Sequence, residues 1–152
     1  MKRRANEKIR IAIAGVGNCA SSLLQGIEYY GRPTSGDGVG LMHLEMGGWR
    51  PGDVAVVAAF DVDRRKVGLP LHEAAFAAPN CTTAIASGLR ESAVLVEMGP
   101  VHDGVAPHMA DYPQEQAFRV VDEPAVDVAK VLQESGAEIL VSYLPVGSQK
   151  AV

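Results

Sequence analysis

The chain has 152 residues and a mass of 16.0 kDa, 47% of them hydrophobic and 21% charged, which is the composition of one folded domain and not of a disordered chain. A net charge of -4 and a pI near 5.5 exclude the basic face that polyanion binding needs, so nucleic acid is not an expected partner. The longest apolar stretch, residues 54–60, falls far short of the roughly 20 residues that a membrane helix requires, and no apolar segment of signal-peptide length follows the basic start at residues 1–4, so a cytoplasmic chain is expected.

In chain order, residues 8–14 read as a short β-branched strand running into the turn Gly15-Val16-Gly17. Ala20, Leu23, Leu24 and Ile27 then recur at helical spacing, with Gly31-Arg32-Pro33 as the stop, and residues 31–40 have the composition of an exposed loop. Residues 53–60 form a nearly continuous apolar run, as a parallel strand covered on both faces would, and end at Asp61-Val62-Asp63. Two further strands are predicted over 93–98, halted by Gly99-Pro100, and over 138–144, halted by Pro145. Between them Pro124 suits a first helical turn, Ala125, Val128, Ala129 and Leu132 keep helical spacing, and Gly136 suits the C′ position. Strands alternating with helices predict an α/β fold, a Rossmann-like doubly wound and mostly parallel sheet spanning residues 1–152.

Residues 15–20, Gly-Val-Gly-Asn-Cys-Ala, match G-x-G-x-x-G/A at a predicted strand-to-helix junction, the context in which that pattern cradles a dinucleotide. The first glycine permits a tight turn, the second clears room for a pyrophosphate, and Ala20 lets helix and strand pack closely. A tight turn that binds nothing is the alternative. Asp61 suits the adenosine ribose hydroxyls, yet it stands 41 positions after Ala20 where about 20 is usual, which requires an insertion before the second strand. Asp63 is a second candidate for the ribose. Arg64 and Arg65 could receive a 2′-phosphate, whereas the Asp61 carboxylate would repel one, so NAD is favoured over NADP.

The four histidines lack ligand spacing, and Cys19 and Cys81 form neither a CxxC nor a Cys/His pattern, so no metal site is expected and the thiols are read as reduced. Cys19 near a helix start is read as a small packing residue under the cofactor, not as a nucleophile.

Beyond the fingerprint, the strings IAGVGNCASSL at 13–23 and QGIEYY at 25–30 resemble the start of the bacterial and archaeal myo-inositol-1-phosphate (inositol-3-phosphate) synthases. GLMH at 40–43, VAAFDVD at 57–63 with KVG at 66–68, and LVSYLPVGS at 140–148 resemble later blocks of that family in the same order. The resemblance implies an isomerase that uses bound NAD to oxidise glucose 6-phosphate, closes the ring by an intramolecular aldol step and reduces the product, in the service of inositol and phospholipid biosynthesis. It further implies that Gly15, Gly17, Asn18, Cys19 and Ala20 hold the pyrophosphate, Asp61 the ribose, and Ser142, Tyr143, Leu144 and Pro145 the path of the cofactor. Family members are more than twice as long, with the catalytic lysines and the sheet of a homotetramer beyond the equivalent of residue 152. The expectation is therefore an amino-terminal, NAD-binding piece that is inactive alone and has no assignable catalytic residue. A freestanding NAD-binding or regulatory module is the alternative.

Overall fold

A computed structural model describes residues 7–32, 38–86 and 88–151. Four parallel strands, β1 (Ile9–Ala14), β2 (Val54–Asp61), β3 (Val96–Met98) and β4 (Ile139–Ser142), form one sheet in the order β3-β2-β1-β4. From β1 the chain winds outward to β2 and β3, then crosses back to β4 on the other side, which places the switch point between β1 and β4.

Side chains alternate across the strands and build a core on each face. On one face Ile11 and Ile13 of β1 bury Ala20 and Leu23 of α1 (Asn18–Tyr30), and Ala59 and Val96 pack with Leu71 and Ala74 of α2 (Leu71–Ala74). On the other, Ala12, Ala58 and Phe60 meet Val128, Val131 and Leu132 of α3 (Val128–Ser135). Helices on both faces make the sheet doubly wound, as the alternation of elements predicts. Among the described residues no helix is long and apolar enough to cross a membrane.

The first predicted strand and helix form within two residues of their expected limits, and α1 ends at Gly31. Pro33 and residues 33–37 of the expected loop lie outside the described residues. The excursion that begins there is closed at its neck: Gly31 and Gly52 abut so tightly that a Cβ on Gly52 would stand 2.8 Å from the Gly31 Cα.

Three predicted elements are shorter than expected, and one of them is β4, which keeps only Ile139–Ser142 of the strand expected over 138–144. Only Val96–Met98 pairs with β2, because residues 94–96 bond back to the preceding turn, with Leu71 N–H donating to Val94 O and Val96 N–H to Leu69 O. The crossover helix starts at Val128 and not at Pro124: Val126 N–H reaches Met98 O, which holds that stretch extended, and the Asp127 carboxylate caps the helix by accepting from Lys130 N–H. Gly136 ends α3 in the left-handed conformation at φ +62°, as its C′ assignment requires. The short helix α2 carries no periodic signal, since four residues are barely one turn.

Candidate functional site

The carboxyl ends of the four strands open onto a cleft of about 760 Å³, bordered by Ala14, Gly15 and Gly17 from the first turn, Asp61 from β2, Gly99 after β3, and Tyr143, Leu144 and Pro145 after β4. This is where an open parallel sheet binds ligands.

Gly15 sits at the switch point. Its N–H donates to Phe60 O on one side while Tyr143 N–H donates to Ala14 O on the other. Its φ of +91° and the 3.1 Å that would separate a Cβ from the Tyr143 carbonyl oxygen both require glycine. Gly17 is different. With φ at -88° and no protein atom within 4 Å of an added Cβ, neither conformation nor packing calls for glycine. The open space belongs to the cleft, directly before α1, whose N-cap has no side-chain partner. A ligand phosphate meeting the first N–H groups of α1 would need that space.

Both polar groups of Val16, between the glycines, are held by side chains. Its N–H donates to Asp61 Oδ2 at 2.7 Å, and its carbonyl accepts from Lys66 Nζ at 2.8 Å and from Asn80 Nδ2 at 3.1 Å. Lys66 also donates to Asn80 Oδ1 and lies 4.0 Å from Asp61 Oδ2, with its side chain only 4% exposed. Burial pushes the Lys66 ammonium below its ordinary pKa, and the Asp61 carboxylate partly restores it.

Asp61 Oδ1 accepts from Val62 N–H and Asp63 N–H, so three of a carboxylate's four or so lone-pair sites are filled and one remains on Oδ2. One free acceptor on the cleft suits a ribose hydroxyl. Asp63, the other candidate, is fully buried and grips Arg65.

The remaining candidates divide. Asn18 lines the cleft, but its side chain is turned to the 81–82 segment, accepting from Cys81 N–H at 2.8 Å and from Thr82 Oγ1 at 2.9 Å. Ala20 is buried between α1 and β1, in the packing role that its small size suggests. Cys19 and Ser142 are exposed and do not border the cleft. Sequence reasoning missed Lys66, Asn80, Glu115 and Phe118, all of which border it. Only Lys66 had a signal, as part of the KVG string. Among the described residues no cluster of His, Cys, Asp and Glu could hold a metal ion.

No family model matches the chain. It is similar to curated proteins named inositol-3-phosphate synthase: 49% identical over 152 residues, 99% of this chain and 40% of the relative, to that of Mycolicibacterium smegmatis. The identity is 46% over 148 residues with that of Mycobacterium tuberculosis (97% of this chain, 39% of the relative). With that of Corynebacterium glutamicum it is 47% over 144 residues (94% and 38%). The chain thus spans about 40% of the length of the curated relatives it matches. Among solved structures it superposes on that titled Ari2 with a TM-score of 0.72 at 34% identity, covering 95% of this chain and 40% of the other. A myo-inositol-1-phosphate synthase-related protein from Thermotoga maritima shares the fold, with a TM-score of 0.58 at 20% identity over 91% of this chain and 35% of the other.

Proposed function

We propose, from its kinship with the inositol-3-phosphate synthases, that this chain is the NAD-binding portion of such an enzyme, a cytoplasmic isomerase of glucose 6-phosphate acting as a homo-oligomer. The observation that carries the proposal is Gly17, a glycine which the protein itself does not need and whose missing Cβ leaves space at the start of α1. In this reading the turn at Gly15 and Gly17 and the first N–H groups of α1 hold the pyrophosphate, the free Oδ2 site of Asp61 accepts from the adenosine ribose, and residues 143–145 line the path toward the nicotinamide. NAD, when bound, supplies reversible hydride acceptance for a reaction with no net redox change.

The chain's own contribution is orientation. Asp61, Lys66 and Asn80 fix Val16 from both sides, so the turn meets its ligand without rearranging, and Phe60, Tyr143 and Leu144 keep the cleft wall apolar. The 152 residues are proposed to bind the cofactor without turning over glucose 6-phosphate, because no group on the cleft is assigned to the proton transfers of ring closure.

Calorimetric titration with NAD tests the proposal. Gly17→Val should abolish binding at a cost in stability of only about 1 kcal/mol, that of a β-branched residue at the N-cap of α1, since its Cβ meets no protein atom within 4 Å. Equal NAD affinity in variant and parent would overturn it.

A further inference from the structure

Arg65 follows the ribose candidate Asp61 by four positions and invites assignment as a receptor for a 2′-phosphate. Its surroundings point elsewhere. Nε donates to Asp63 Oδ1 at 2.9 Å and Nη2 to Asp63 Oδ2 at 2.6 Å, a forked pair on a carboxylate whose side chain is fully buried. From the other edge of the guanidinium, Nη1 donates to Gln114 O at 2.6 Å and Nη2 to Ala117 O at 2.8 Å. Those four bonds occupy four of the five N–H donors that an arginine has, so no fork is left for a phosphate. The Asp63 bond also holds the guanidinium proton above its already high ordinary pKa.

The two carbonyls that Arg65 grips bracket Glu115 and Gln116, and with Phe118 these residues border the same cleft as Asp61. The segment is otherwise joined to the end of β2 by the Arg64 side chain, whose Nη2 donates to Gln114 Oε1 at 3.0 Å, and by backbone bonds further along, Arg64 N–H to Arg119 O and Val121 N–H to Val62 O. Lys66 is the one basic residue on the cleft among the described residues, while Glu115 adds a second carboxylate beside that of Asp61.

We infer that Arg65 is a positioning residue: it clamps residues 114–117 onto the buried Asp63, so that Glu115, Gln116 and Phe118 form the outer wall of the adenosine end of the cleft, a wall that selects against a phosphorylated ribose. The nucleotide part of this inference rests on the NAD reading above, whereas the clamp itself does not. A lysine cannot replace the arginine, because a single ammonium cannot hold both carboxylate oxygens and two carbonyls in one plane.

The test compares the parent chain with Arg65→Gln by calorimetry with NAD, NADP and AMP and by hydrogen exchange over residues 113–118. If Arg65 is a clamp, exchange there quickens, NAD and AMP both weaken by about tenfold, the cost of reordering a loosened wall on binding, and the preference for NAD over NADP narrows. Unchanged exchange with unchanged NAD affinity would overturn the inference, as would a selective loss of NADP binding. Should Arg65→Gln fail to fold because Asp63 is left as a buried unpaired charge, the double variant D63N/R65M removes both charges and carries the same expectations. If the parent binds neither NAD nor AMP, the NAD reading fails, and the exchange over 113–118 alone decides the clamp.

Discussion

Ile13 and Ile139 lie in neighbouring strands of one sheet, β1 and β4, and experience different environments. Ile13 is 0% exposed, enclosed by α1, whereas Ile139 is 51% exposed on a strand of four residues at the sheet edge. The contrast extends to polar groups. At the β1 end Gly15 N–H and both polar groups of Val16 have a strand or side-chain partner, while β4 is attached to the fold chiefly by its ladder to β1 and by Arg10, whose guanidinium bonds the carbonyls of Ser135 and Gly136 at the end of α3. One sheet therefore carries a rigid half, where the candidate site is built, and a lightly supported half.

The largest effect should separate the two isoleucines. Ile13→Ala should cost about 2–5 kcal/mol, and Ile139→Ala under about 1 kcal/mol, as read from denaturant unfolding of each variant. Equal costs would erase the distinction between the halves. Next comes the turn: Gly15→Ala should destabilise by about 1–3 kcal/mol through left-handed strain and its approach to Tyr143, whereas at Gly17 an added Cβ meets no protein atom within 4 Å.

The smallest effect concerns Lys66. Its folded pKa lies below the unfolded 10.5, so between those values the unfolded chain holds more protons and stability rises with pH. Melting temperatures of the parent and Lys66→Met, compared from pH 7 toward 10.5, should show the parent gaining on the variant as pH climbs. A constant difference would mean that Lys66 titrates as it does in water.

The rigid half was also the legible half. Its strand, turn and helix are contiguous, and their signals, period-2 and period-3.6 hydrophobicity with glycines between, are local. Asp61 could be singled out despite its distance because a strand end is also a local signal. The latch on Val16 could not, since Lys66 and Asn80 reach it across 50 and 64 positions and no local pattern ties either of them to it. The same holds for residues 114–118, an irregular segment that gains its role from Arg65. Elsewhere the apolar runs overstated β3, β4 and the crossover helix, because apolarity marks what becomes buried and not which partner takes the backbone bonds.

The abutting pair Gly31 and Gly52 bears on the 41-position gap between Ala20 and Asp61. Where a chain leaves and re-enters through a pinched neck, the residues outside it are a detour whose length the sheet does not register. Doubling such a detour costs only about 0.6 kcal/mol of closure entropy, so its length weighs little on the stability of the sheet. A side chain bulkier than hydrogen at either glycine would pry the neck open and shift α1 against β2. The separation of Ala20 and Asp61 is thus set as a distance in space and not as a count along the chain.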